Sequence, residues 1–314
     1  MPTFHALIAR WSAPQYRSLV VGVTFVGAYV GVIAGMLLTG VLCDYGFAGG
    51  WPSAFYVFGT VGCVWSVAWF FLCYNSPSTH PRISTTELEY WERQIGNKGL
   101  TSHPPTPWRK LLTSVPVWAL AVAHFANDWG IFTFAICAPL YMHDVLGFNF
   151  TRNGVFSALP FLTPIFTKPV CGMLADWLRS PGRLSTTFVR KAFCVVGFIF
   201  TGILLIALGY IGCDRTLAVA TIFAIIACAD IAYTSVGVNQ LDLAPLHAGK
   251  VMGLTYTVAV MSAIAAPMAV GALTYERSTR EEWQQVFFLA AGIYAVGAVV
   301  YLIFGSGERQ SWAD

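Results

Sequence analysis

Four ionisable side chains, His124, Asp128, Lys168 and Asp230, stand inside long apolar runs. A charge at the middle of a bilayer costs at least ~2.5–3.5 kcal/mol, so each needs a partner or a wet cavity. His124 and Asp128 are four positions apart, which places them on one helical face. At a rise of about 1.5 Å per residue, Asp128 sits roughly 18 Å into its run. His124 and Asp128, costly groups on one face, are therefore candidates for a wet substrate or ion pathway. Asp128 is the candidate acceptor of a coupling proton or sodium ion, since burial favours the neutral form of a carboxylate. A buried polar contact that only stabilises the helix bundle is the competing expectation. Lys168 and Asp230 lie at matching depths, each about 12 Å from one membrane face by the same rise. One ion pair would explain both costly residues; a lysine snorkelling to the surface is the alternative.

A second group of chemistry-bearing residues is Gly172-Met173-Leu174-Ala175-Asp176-Trp177-Leu178-Arg179, followed by Arg183 and Arg190-Lys191. A carboxylate at a helix end can accept hydrogen bonds from the start of a neighbouring helix. The cations around it can pair with it, forming a latch between helices. An ordinary basic loop is the plainer reading. Leu241-Asp242-Leu243-Ala244-Pro245 supplies a second such segment, with Asp242 and Pro245 as its marked residues. No Ser/His/Asp set, metal-ligand spacing or nucleotide-cradling loop supports an enzyme, so no metal and no cofactor beyond a coupling ion, H+ or Na+, is expected. The eight cysteines fall singly, mostly in apolar runs, and read as small apolar filler.

The elements that must carry these residues are membrane helices. The chain is 56% hydrophobic and only 11% charged, with a mean hydropathy of +0.64. Soluble domains carry roughly a quarter charged residues, so lipid is the main solvent here. A net charge of +3 spread over short links gives nucleic-acid binding no support. Apolar runs at 19–43, 52–74, 116–141, 154–177, 191–212, 216–238, 251–274 and 286–305 each suffice to cross a bilayer, and residues 1–9 read as the end of a further span. Lysines and arginines set the orientation. Thirteen lie on the side holding 10–18, 75–115, 178–191, 239–250 and the tail, against four on the other. That bias places the tail and the 75–115 link in the cytoplasm. The sequon Asn149-Phe150-Thr151 then faces the lumen or exterior, where glycosylation occurs. Gly27, Gly31 and Gly35 share one face of the first full span and are expected to pack closely against another helix.

The stretch Trp11–Leu42 is echoed 231 positions later by Asp242–Leu273. Ala13-Pro14 aligns with Ala244-Pro245, Gly22-Val23-Thr24-Phe25 with Gly253-Leu254-Thr255-Tyr256, and Gly40 with Gly271. Repeated spans in one orientation mark a transporter built from two similar halves. Four spans precede the second copy and almost none the first, so about three and a half spans, ~115 residues, are expected upstream of Met1. The expected domains are 1–74, a remnant of the N-terminal half; 75–115, a cytoplasmic linker; 116–306, a six-helix C-terminal half; and 307–314, a cytoplasmic tail.

The Gly172–Arg179 segment resembles the major facilitator signature Gly-x-Leu-Ala-Asp-x-x-x-Arg. Further segments resemble the anion–cation symporter family that includes sialin, vesicular glutamate transporters and type I sodium–phosphate cotransporters. They are Trp11-Ser12-Ala13-Pro14 with Arg17-Ser18, Trp51 to Gly59, Val117-Trp118-Ala119 with His124-Phe125, and Asn153 to Pro160. Leu184 to Thr187 with Val189-Arg190-Lys191, Leu241 to Pro245, Glu281 to Gln284, and Gly307-Glu308 with Trp312-Ala313 complete the set. The resemblance implies an all-α membrane protein of the major facilitator fold, holding about eight helices that correspond to spans 5–12 of twelve. It also implies transport of small anions driven by protons, sodium or voltage. Two departures matter. The arginine that vesicular glutamate transporters carry two positions before a span-seven tryptophan is here Asn127, before Trp129. The Asn-His pair preceding Leu-Asp-x-Ala-Pro is here Asn239-Gln240.

The leading expectation is a proton-coupled transporter of acidic sugars or acidic amino acids. Sodium-dependent inorganic phosphate cotransport is the alternative. A shortened, non-transporting partner of a full-length relative is the reading from another class. The expected partners are a small anionic substrate and the lipid bilayer of a lysosomal, vesicular or plasma membrane, with the oligomeric state open.

Overall fold

The computed structural model describes residues 2–95, 105–147, 159–180, 183–211, 214–275 and 279–313. Among the described residues the regular structure is entirely helical. The helices are α1 (Pro2–Trp11), α2 (Arg17–Tyr45), α3 (Trp51–Leu72), α4 (Thr85–Ile95), α5 (Trp108–Leu112), α6 (Val115–Asp144) and α7 (Thr163–Leu178). They continue as α8 (Thr186–Tyr210), α9 (Arg215–Val236), α10 (Asn239–Leu243), α11 (Ala248–Val260), α12 (Ser262–Leu273) and α13 (Arg280–Phe304).

Apolar length makes the spans, and local chemistry sets their ends. Ser185 Oγ accepts the Phe188 N–H at 3.2 Å to start α8, and Asp214 accepts from Thr216 and Leu217 at 3.0 and 3.1 Å to start α9. Thr279 and Glu282 form a reciprocal capping box at α13. Proline at the second position of α3, α6 and α7 sits where no intrahelical N–H is required.

Seven stretches among the described residues are long and apolar enough to cross a membrane. Two of the eight expected runs depart from a single helix. The run at 154–177 is a 3-10 turn, Leu159–Leu162, followed by α7, with 154–158 outside the described residues. The run at 251–274 is divided into α11 and α12 at Met261. Pro267 lies just beyond the break and lacks the N–H that would bond one turn back, a known cause of bent membrane helices. The 75–115 link is more structured than a polar hinge, for it carries α4 and α5. A hydrogen bond from Lys250 Nζ to Thr106 Oγ1 ties it to the start of α11.

The repeat survives into three dimensions. The 3-10 turn Pro14–Tyr16 leads into α2 as Pro245–His247 leads into α11, at the same offset of 231. The main core joins α6, α8, α9, α11, α12 and α13. A second cluster seats α1 and α2 against it, through Ile8, Val21, Phe25, Tyr233 and Leu241. By contrast α3 buries only Ser53 and Ala54; Trp51, Phe55, Phe70 and Phe71 are exposed, an apolar surface suited to lipid or another helix.

Glycine matters most where α2 crosses α7. A Cβ on Gly22 would stand 2.8 Å from the Lys168 carbonyl oxygen, and one on Gly172 would stand 2.8 Å from the Ser18 carbonyl oxygen. These reciprocal glycines let the two backbones touch. The expected packing face behaves otherwise: Cβ atoms on Gly27, Gly31 and Gly35 would meet nothing within 4 Å. Gly172→Val should therefore lower the melting temperature of the purified protein in detergent, by overpacking worth about 1–3 kcal/mol. Gly27→Ala should leave it unchanged.

Candidate functional site

Two buried charge clusters lie along one side of α7. Lys168, Gly172 and Asp176 follow one another at intervals of four residues, so they share a face, and that face meets α2.

At the end of α7, Asp176 Oδ2 accepts the Leu19 N–H at 2.9 Å. The first turn of α2 has no capping side chain of its own, so this carboxylate satisfies an orphan donor from outside the helix. Arg179 lies 3.5 Å from Asp176 and donates to Asp242 at 3.0 Å. Arg190 donates through Nε to the other Asp242 oxygen at 2.8 Å. Through Nη1 it also reaches Ser18 Oγ at 3.1 Å and the Thr234 carbonyl at 3.3 Å. Arg17 donates to the Leu241 carbonyl at 3.0 Å. Burial pushes the Arg179 guanidinium below its ordinary pKa and nearby Arg190 adds to this, while Asp242 and Asp176 pull it back up. The cluster thus joins α2, α7, α8 and α10 through charge-assisted bonds.

This geometry differs in detail from a latch centred on Asp176. Asp242 is the acceptor shared by Arg179 and Arg190, and Asp176 serves chiefly as the cap of α2. Arg183 packs its guanidinium over the Trp177 ring, 3.8 Å from its centre, because the turn after α7 folds it back on that helix. Lys191 is half-buried and takes part in no ion pair among the described residues. Pro245 opens the 3-10 turn after Asp242 and leads into α11. The tail closes over the same end: Gln310 N–H donates to the Leu243 carbonyl at 2.9 Å, Gly307 N–H to Thr187 Oγ1 at 3.0 Å, and Ala313 is fully buried. Asn239, from the altered Asn-Gln pair, donates to Tyr301 at 2.8 Å and to the Ser306 carbonyl at 2.9 Å, while Gln240 turns to the Gly237 carbonyl at 2.7 Å.

Two turns along α7, Lys168 Nζ lies 2.7 Å from Asp230 Oδ1, both nearly inaccessible. Thr167 donates to the other Asp230 oxygen at 2.9 Å. Three rings surround the ammonium: Tyr233 at 4.2 Å, Tyr29 at 5.3 Å and Phe25 at 5.6 Å from their centres. Because Tyr29 and Phe25 belong to α2, the pair sits on the seam between α2 and the C-terminal bundle.

Asp230 also lines a small cavity with Tyr29 of α2, Asn127 and Ile131 of α6, Phe161 before α7, and Tyr294 of α13; it has room for a water-sized guest. Asn127 is fully buried, and neither polar atom of its amide has a hydrogen-bond partner of ordinary geometry among the described residues. The α6 face on this cavity runs 127, 130, 131 and 134, which leaves His124, Asp128 and Trp129 off its wall. His124 is sealed with its ring edge toward Tyr233, Trp129 packs in the main core, and Asp128 is buried beside Asn127. Asn149 falls outside the described residues.

Sequence reading missed Tyr29, Tyr233 and Tyr294. Only Tyr233 carried a signal, standing three residues after Asp230 on the same face.

Several helices of spanning length, joined at one end by shared ion pairs and with a paired charge held at depth, define a multi-pass membrane protein. The chain belongs to the Major Facilitator Superfamily, whose profile matches residues 1–200. It is 40% identical over 317 residues to the "Uncharacterized transporter slc-17.2" of Caenorhabditis elegans, covering 99% of this chain and 64% of that protein. It is 40% identical over 319 residues to vesicular glutamate transporter 3 of Danio rerio, covering 100% of this chain and 53% of that protein. It is 39% identical over 314 residues to the "Putative inorganic phosphate cotransporter" of Drosophila ananassae, covering 99% and 65%. The chain therefore spans about half to two thirds of the length of the relatives it matches, and their names are those of transporters, not enzymes.

Asp242→Asn would leave Arg190 without its charged acceptor and Arg179 with Asp176 alone. Breaking a buried pair in this way costs about 3–5 kcal/mol. The expected outcome is a marked fall in melting temperature, or in the monodisperse yield on size-exclusion chromatography, against a near-wild-type result for Arg183→Ala.

Proposed function

We propose that the protein acts in secondary active transport of small organic or inorganic anions by alternating access, with protons as the driving ion. The observation that carries this reading is the α2–α7 seam. Asp176 and Arg190 bond to α2 across it at one end, and the lysine–aspartate pair between α7 and α9 lies against it at depth; the contacts that cross it can break and re-form as two helix groups rock. A vesicular glutamate transporter among the relatives favours an organic anion such as an acidic sugar or acidic amino acid. The Drosophila relative favours a second reading, sodium-dependent phosphate cotransport.

In this reading Asp128 is the acceptor that admits the coupling ion, and the Asp176–Arg179–Asp242–Arg190 cluster is the cytoplasmic latch. The positive-inside bias supports this side, and the tail would share it, since it bonds to Leu243 and Thr187 at the same end of the helices. A vesicular, lysosomal or plasma membrane would house the protein.

The test is uptake of labelled sialic acid, glutamate and phosphate into proteoliposomes at two pH values, with and without sodium. Acid-stimulated, sodium-independent uptake of an organic anion is the expected result; sodium-dependent phosphate uptake would select the second reading. No uptake of any of the three under any gradient would discard transport by this chain. Asp128→Asn should remove the acid-stimulated part of uptake while leaving membrane insertion intact. Asp176→Asn keeps an oxygen to cap α2 but loses the charge, and should slow turnover several-fold at unchanged insertion.

A further inference from the structure

The α6 residues on the cavity, Asn127, Gly130, Ile131 and Phe134, are all neutral, which leaves the cavity wall without a fixed cation from that helix. Lys168 is a fully paired ammonium directly beside that cavity, and its partner Asp230 forms part of the wall. We propose that Lys168 is the anion-binding cation of this transporter and that Asp230 is its placeholder, occupying the ammonium until a substrate carboxylate takes its place.

This inference rests on the transport reading above. Three features of the site support it. First, the pair is built to be exchanged: the Thr167 hydroxyl lies 2.9 Å from the Asp230 oxygen not bonded to Lys168 and divides its one proton between it and the Thr163 carbonyl, so the carboxyl keeps a hydrogen-bond partner when it lets the ammonium go. Second, the Lys168 ammonium is held in place from other directions by the faces of Tyr233 and Tyr29, so it does not need Asp230 to stay where it is. Third, Asn127 brings a buried amide, next to Asp128, to the same cavity as Asp230. The cavity has room for a water-sized guest in this state, so a larger guest requires the seam beside it to open. Once it is open, a small carboxylate that also bears a hydroxyl or amino group would place its anionic end on Lys168 and its neutral polar group toward Asn127.

Charge balance then specifies a co-substrate. One ammonium facing two carboxylates leaves an uncompensated negative charge in the membrane core, so the anion enters together with one proton, which ends on Asp230. Asp230 faces Lys168 and Cys171 from α7, Tyr29 from α2 and Tyr294 from α13, with Tyr233 on its own helix. Asp128 of α6 stands near Lys168, and Tyr256 of α11 stands near Asp128. Lys168 is thus the cation that this group faces, and exchange at that ammonium is the event that protonation controls.

The experiment measures KM and maximal rate for labelled sialic acid and labelled glutamate in proteoliposomes at pH 5.5 and 7.5 (probe conditions on the order of one unit either side of a histidine-range pH). The full chain is used, alongside Asp230→Asn, Lys168→Arg and the double variant Lys168→Gln with Asp230→Asn. Asp230→Asn mimics the protonated placeholder, so KM at the higher pH should fall several-fold and become independent of pH. Lys168→Arg should keep transport. The double variant removes both charges together, so it should fold with a near-wild-type melting temperature yet show a KM raised at least ~10-fold, as expected when about 1.4 kcal/mol or more of binding is lost. A double variant that transports with unchanged KM would reduce the pair to a structural contact and overturn the proposal. So would an Asp230→Asn protein whose KM keeps its wild-type pH dependence. Wild-type protein that transports none of the probes defeats the transport reading itself, a separate failure.

Discussion

Every charge that enters the hydrocarbon must be answered by another charge or by water, and that constraint shapes this molecule. Asp230 is answered by Lys168, and Asp242 by two arginines at once. Asp176 is answered by the N–H at a helix start, with Arg179 nearby. Each answer comes from a different helix, so the pairs that neutralise charge also hold helices together. Because lipid offers no hydrophobic drive between helices, such polar contacts and close backbone approach carry a larger share of the specificity than in a soluble bundle.

These contacts are concentrated on one seam. Reading down α7, Asp176 caps α2, Gly172 touches the backbone at Ser18, and the Lys168 carbonyl lies against Gly22 while its ammonium faces Phe25 and Tyr29. A helix face with a four-residue repeat therefore connects the charge cluster at the end of α7 to the paired charge at depth. A shift of α2 against α7 would therefore disturb the Asp176 cap and the rings around Lys168 together.

Much of this was readable from the chain, and for identifiable reasons. The spans follow from apolar length. The repeat followed from residue matches at a constant offset, and the turn-then-helix pattern at Pro14 and Pro245 keeps that offset. The proximity of Lys168 and Asp230 was legible because two expensive residues lay at matching depth. The role of Asp242 as shared acceptor was not, since its arginines are 52 and 63 positions away and no spacing rule connects them. The glycines show the same limit: Gly27, Gly31 and Gly35 form the more conspicuous pattern, yet Gly22 and Gly172 make the close crossing, because contact depends on which face a partner helix occupies. On α6 the cavity wall takes Asn127, while its neighbour Asp128 lies about 100° further round the helix, a distinction that apolar spacing does not resolve.

The two copies of the repeated stretch are not built alike. In the first, α2 runs unbroken for 29 residues. In the second, a single residue, Met261, separates a segment of 13 residues from one of 12 while keeping helical dihedrals itself. Pro267 removes one further rung from the second copy's ladder, whereas α2 holds no proline. The sister stretches thus share a register but not an unbroken backbone ladder.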